Sequence, residues 1–282
     1  MAMVEPKLIF QMCAFGLIFI ISIACTGVKN LHQHPTQVTD LKIKGIIDIA
    51  EIDNLGRIYT ANDKNTIINY KPDFQEQYRY ANSKSGKVSS IDVNDALRIV
   101  TFYDDFNRIK IFDNTLTIIQ ELNLSETYVD ISACGTSNDG NLWIYDPIQF
   151  KLLKINEKGE VIFETSNVND FGMKGVNISS IREKSNIVVL MDSAKGFYFF
   201  DNFGQYLYHL SAPDIKSYQF DGENLLFYQQ GYFKLYSLKY KEVQDINLNE
   251  EIKFLSPKLI KVYDKTIYII HQDGLSTFPI KG

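Results

Sequence analysis

From Leu41 to the end of the chain, apolar and polar residues alternate in short runs rich in Ile, Val, Tyr and Phe. Gly, Asn and Asp clusters separate the runs, and no helical period is sustained. This is a strand pattern throughout. One phrase recurs, a polar turn followed by an apolar strand: DNLGRIYTAND (Asp53–Asp63), SNDGNLWIYD (Ser137–Asp146), FDGENLLFYQQ (Phe220–Gln230) and YDKTIYIIHQ (Tyr263–Gln272). A second phrase supplies a third strand and its exit turn: RIKIFDN (Arg108–Asn114), KLLKINEKGEV (Lys151–Val161), GFYFFDNFGQY (Gly196–Tyr206) and YFKLYSLKY (Tyr232–Tyr240). A fourth strand follows, as in TIIQELNL (Thr117–Leu124).

The repeat predicts units of four antiparallel strands at 45–83, 87–126, 127–170, 177–213, 214–249 and 251–282, a period of about 40 residues. Four-stranded sheets twist too strongly to stack flat, so such units pack face to face around an axis. The expected fold is all-β, a six-bladed β-propeller of four-stranded antiparallel blades occupying 38–282. The last unit has three strands. The alternating stretch Val38–Ile43 is expected to supply the fourth and close the ring, removing an exposed edge. The segment Asn167–Asn177 reads as a loop protruding from one rim, and a seventh blade would require strands hidden there.

The N-terminus breaks the pattern. Leu8–Ala24 is almost wholly apolar, follows a head carrying Lys7, and ends in the small Ala24 before Cys25 and a polar stretch. Ser22-Ile23-Ala24-Cys25 resembles the lipobox of bacterial lipoproteins. The resemblance implies a signal peptide over 1–24, lipidation of Cys25 and a flexible linker over 25–37. The alternative is an uncleaved anchor helix. Either way the chain is expected to be tethered to a membrane. Lipoproteins of the Bacteroidota bound for the cell surface often carry acidic residues just after the cysteine. Thr26–Asn30 has none, which by that resemblance points to the periplasmic face of the outer membrane.

Composition narrows the function classes. Of 282 residues, 45% are hydrophobic and 22% charged, which excludes a disordered chain and a polytopic membrane protein. A net charge of -5 offers no basic excess to hold a nucleic acid. Cys13 lies in the segment expected to be cleaved and Cys25 is the lipidation candidate, so Cys134 is left without a disulfide partner.

Candidate chemistry is sparse. His32 and His34 lie in the linker, and His209 and His271 on separate strands, so they form no convergent metal set. Cys134 has no histidine in its own blade, and no nucleophile elbow is present. Carboxylates carry more weight. Asp48, Asp92 and Asp130 occupy the similar tripeptides I-D-I, I-D-V and V-D-I, read as matching places on the innermost strands of the first three blades. Arg182, Gln219 and Pro257 lie at or near that place in the others. Two readings stand: a channel site for a cation or ligand, or a latch in which each Asp accepts backbone N–H groups from an adjacent blade. The latch avoids an expensive buried charge.

The repeat, most closely in IDIAEIDNLGRIYTAND (Ile47–Asp63), resembles the NHL and lactonase-like six-bladed propellers across Leu41–Gly282. That resemblance implies calcium in the channel as a candidate cofactor. The expected function is a membrane-anchored, non-catalytic interaction platform with an envelope protein partner. The alternative is a calcium-dependent lactonase-like hydrolase or a small-ligand binder using the channel.

Overall fold

The computed structural model describes residues 39–41, 46–82, 84–246, 252, 255–272 and 274–280. The expected signal peptide, Cys25 and linker lie outside the described residues. The rest forms six four-stranded antiparallel sheets. Blade 1 spans Ile47–Ile52, Ile58–Asn62, Thr66–Tyr70 and Glu76–Ala81. Blades 2 to 5 begin at Ser90, Ala133, Ser180 and Ile215 and end at Asn123, Glu164, Ser211 and Ile246. Blade 6 takes Leu259–Tyr263, Thr266–His271 and Gly274–Pro279 in sequence order. Its outermost strand is Thr39–Leu41, with Thr39 opposite Thr277 and Leu41 opposite Leu275. The ring therefore closes through the N-terminal strand, as the missing fourth strand predicts, and the fold is a six-bladed β-propeller.

Burial follows position within the blade. The two middle strands of blade 1, Ile58–Asn62 and Thr66–Tyr70, are buried at every residue, because both faces pack against neighbouring blades. The outermost strand Glu76–Ala81 is mostly exposed. Six apolar clusters of buried side chains fill the six inter-blade gaps, one per gap. Trp143 lies fully buried between blades 3 and 4. Its indole N–H donates to Glu183 of blade 4, and the Lys154 ammonium sits 4.5 Å from the ring centroid.

Local chemistry sets the outer turns. Asp113, Asn156 and Asp201 each open the turn between the third and fourth strands. In each, one side-chain oxygen accepts the N–H groups two and four residues on, at 2.8–3.0 Å. Between blades, the left-handed residues Asn65 and Asn107 act as latches. Asn65 accepts from Val88 N (3.1 Å) and donates to Gly86 O (2.6 Å). Asn107 accepts from Ile131 N (3.0 Å) and donates to Tyr128 O (2.8 Å).

The loop at 167–177 does not protrude. It forms a short 3-10 turn, Val168–Phe171, that folds back onto the blades. Val168 and Met173 are fully buried, and Phe171 stacks on Tyr206 at 5.4 Å between ring centroids. Apolar burial outweighs the polar, Gly-bearing local sequence.

Gly135 marks a close approach of two innermost strands. A Cβ there would overlap the carbonyl oxygen of Ile181 in blade 4. Both sides of that contact are backbone, so neither yields by a rotamer change. Gly135→Ala is expected to lower unfolding free energy by about 1–3 kcal/mol, the range of overpacked cores, read from urea denaturation midpoints.

Candidate functional site: a charged layer across the channel

The innermost strands of all six blades line the axis. Their cross-strand partners reveal which residues are equivalent. Glu51, Asp92, Gly135, Arg182, Gln219 and Lys261 face Tyr59, Val100, Trp143, Val189, Leu226 and Tyr268. Each of those partners directly follows a buried aliphatic residue (Ile58, Ile99, Leu142, Val188, Leu225 and Ile267). The six therefore form one layer, with two acids, two bases, one carboxamide and one glycine.

The charges in this layer are bonded to one another. The Arg182 guanidinium reaches across the axis from blade 4. It donates to Glu51 Oε1 (3.0 Å) and the Ile91 carbonyl (2.8 Å), and lies 3.8 Å from Asp92 Oδ2. Lys261 Nζ donates to the other Glu51 oxygen (2.8 Å) and to the Tyr218 carbonyl (3.0 Å). Glu51 thus holds both cations at once. Burial works against the Arg182 charge, but attraction from Asp92 and Glu51 outweighs it and holds the guanidinium above its ordinary pKa. Gln219 is occupied on both sides of its amide, donating to Val262 O and accepting from Val262 N at 2.9 Å each.

The layer divides the channel. Above it, on the rim that carries the connections between blades, lies a cavity of about 250 Å³. Below it, on the rim of the turns that follow the innermost strands, lies a cavity of about 310 Å³. Glu51, Arg182, Tyr218 and Lys261 line both, forming the floor of one and the roof of the other.

The three aspartates singled out in the sequence occupy three different settings. Asp92 is in the layer, with its side chain 3% exposed. It accepts from Thr136 N of blade 3 (2.9 Å) and from Asn94 N (2.9 Å), so it makes an inter-blade latch as well as facing Arg182. Asp48 lies three residues before the layer position. Ile47 pairs with Asn62 and Ile49 with Ala61, which leaves Asp48 as the extra residue of a bulge. Bulges re-aim side chains, and Asp48 lines the upper cavities. It bridges Lys87 (3.0 Å) and Lys258 (2.8 Å) there. Partial burial works to raise its carboxyl pKa, but the hydrogen bonds from Lys258 and Lys87 prevail and hold it below the ordinary value. Asp130 is exposed in the loop before Ala133–Thr136. The three do not converge, and among the described residues no cluster of three His, Cys, Asp or Glu side chains has the arrangement of a metal set.

Sequence reasoning missed Glu51 and Lys261. The repeated tripeptide drew attention to Asp48, whereas the register count from the following strand leads to Glu51. Cys134 is buried, and that burial, with the nearby Asp92 charge, pushes its thiol pKa up. His209 stacks on Tyr198 at 4.3 Å, and His271 hydrogen-bonds Ser276; neither lines the two chambers.

Glu51→Gln removes the charge shared by Arg182 and Lys261. The expected loss is about 2–3 kcal/mol, below the ~3–5 of a fully buried pair because the layer is partly solvated. Adding Lys261→Met to Glu51→Gln removes one unpaired cation and is expected to recover part of the loss. Both are read from urea unfolding.

No protein-family profile and no curated protein matches the chain. Solved structures share its fold. A catalytically inactive, histidine-to-alanine form of virginiamycin B lyase from Staphylococcus aureus with quinupristin aligns with a TM-score of 0.60 and 13% identity, over 86% of this chain and 88% of that one. A streptogramin B lyase aligns at 0.59 and 12% identity, over 82% and 78%. The Neurospora crassa Pan2 WD40 domain aligns at 0.58 and 12% identity, over 81% and 73%. At these identities the likeness shows the propeller fold alone.

Proposed function

We propose that this protein is a lipid-anchored, non-catalytic interaction platform, tethered through Cys25 at the periplasmic face of a bacterial outer membrane. The lipobox-like Ser22–Cys25 and the polar linker support the address. The observation that carries the platform role is the distribution of unused chemistry. The acids and bases of the layer across the channel are bonded to one another, while large apolar side chains stand free on the upper rim. Phe106 is 50% exposed and Val129 89%. They flank the Asn107–Tyr128 latch, on the sector where blades 2 and 3 meet. Ile148, 58% exposed, lies on the same rim in blade 3. Exposed apolar groups within a polar rim are the usual material of a protein interface. WD40 propellers and lyases share this architecture, so the fold permits either role; the self-compensated channel favours binding at a rim.

The test is purification of the full chain from gently solubilised envelopes after metabolic labelling with a palmitate analogue. Label on the wild type and none on Cys25→Ala is expected. A stoichiometric partner is expected to co-elute and to be lost in Phe106→Asp/Val129→Asp. It is expected to persist in Leu55→Asp/Leu97→Asp, which alters exposed apolar residues of the opposite rim. A clean monomer under cross-linking overturns the platform role; unlabelled Cys25 overturns the anchor.

A further inference from the structure

We infer that the lower chamber of the channel binds a neutral, hydroxyl-rich ligand the size of one ring, a pyranose sugar or the terminal sugar of a glycan. This goes beyond the platform role and does not depend on the lipid anchor. The chamber has a volume of about 310 Å³, at the small end of the range for ligand pockets, ~300–1,000 Å³. Its roof is the charged layer. Its walls include the half-buried rings of Phe220 and Tyr263. Its lip carries Asn54, Asn94 and Lys184.

Two features select the ligand class. The first is charge. Three acids line the chamber (Glu51, Asp53 and Asp92) and three bases (Arg182, Lys184 and Lys261); in the roof Glu51 and Asp92 balance Arg182 and Lys261, and Lys184 stands apart at the lip. Glu51 and Asp92 face the layer cations, and Asp53 is taken by Arg57 at 2.7 Å and by the N–H groups of Leu55 and Arg57. A charged ligand that engages the roof must break one of these pairs and leave a partly buried partner uncompensated. A hydroxyl both donates and accepts. It can therefore accept from Arg182 or Lys261 and donate to Glu51 without displacing either bond.

The second feature is the lip. The side chains of Asn54 and Lys184 have no hydrogen-bond or ion-pair partner among the described residues. Asn94 makes one long contact, from Nδ2 to Glu183 O at 3.4 Å, and its Oδ1 is free. Carboxamides, which both donate and accept, beside aromatic rings match a ring that presents hydroxyls at its edge and C–H groups on its face. The upper chamber lacks this set. Its Asp48 is held by Lys87 and Lys258, and no asparagine lines it.

The experiment uses the full chain in detergent. Methyl pyranosides of glucose, galactose and mannose are titrated by saturation-transfer NMR, with glucuronate and glucosamine as charged counterparts, and a glycan array covers bound sugars. At least one neutral pyranoside is expected to bind about ten-fold tighter than its charged counterparts. Asn54→Leu/Asn94→Leu is expected to weaken it about ten-fold or more at unchanged melting temperature. Lys87→Met/Lys258→Met at the upper mouth is expected to leave binding unchanged, as is Cys25→Ala. Array binding that needs Asn54 and Asn94, without free-sugar binding, identifies a glycan terminus as the source. Preference for the charged sugars, binding that survives Asn54→Leu/Asn94→Leu, or no binding to either source overturns the inference.

Discussion

One carboxylate holds the centre of this molecule together. A propeller brings six strand edges to a single axis, where no further strand can satisfy the polar groups that meet there. Here the solution is a bridge. Glu51 of blade 1 takes Arg182 from blade 4 on one oxygen and Lys261 from blade 6 on the other. Arg182 continues to blade 2 through Ile91 O, and Lys261 to blade 5 through Tyr218 O. Five blades are therefore joined through three side chains. Blade 3 contributes Gly135, whose missing side chain lets its strand close against Ile181. The cost of desolvating these charges is offset only while every one keeps its partner. That condition makes the layer a structural element and a partition of the channel at once.

Much of the architecture is legible in the chain because it rests on periodicity. The recurrence of turn and strand gives six units, and the missing fourth strand in the last unit leads directly to Thr39–Leu41. The Asx turns at Asp113, Asn156 and Asp201 are local, since one side chain and the next four residues determine each. The channel layer is not legible in the same way. Asp48 and Asp92 sit in similar tripeptides but not in the same register: Asp48 lies three residues ahead of the layer position, in a bulge that no composition rule announces. Glu51, the true counterpart of Asp92, sits in A-E-I and resembles no other blade. The signal that locates it is positional. Each layer residue pairs with the one after the first buried aliphatic of the next strand, and counting back from Ile58 or Ile267 leads to Glu51 or Lys261. The loop at 167–177 fails for a different reason: its burial is tertiary, and Phe171 finds Tyr206 across a distance that local sequence does not encode.

The same layer explains why fold likeness decides so little here. Lyases and a WD40 domain share the propeller at 12–13% identity, and their common ring leaves the axis free to be filled differently. In this chain the axis is filled by paired charges, and the described histidines are used elsewhere. His209, on an outermost strand, rests on Tyr198, and His271 bonds Ser276. What the chain does must be argued from the two ends of a closed channel.

Those ends differ in kind because the strands that reach them differ. At the top, the innermost strands enter from long inter-blade connections, and bulges at Asp48 and Lys216 turn charged side chains toward the mouth. The side chains there are solvated and paired: Lys87 and Lys258 with Asp48, and Lys216 with Asp214. Solvated pairs of this sort are individually weak and exchange partners readily, which suits a rim that meets another macromolecule. At the bottom, tight turns follow the innermost strands; among the described residues the Asn54 amide has no partner, and the Asn94 amide makes one long contact, to Glu183 O at 3.4 Å. An unpaired amide beside a closed roof gains most from a ligand small enough to enter and polar enough to satisfy it. Because the paired layer separates the two chambers, the proposed rim contact and the proposed chamber ligand would draw on separate sets of side chains.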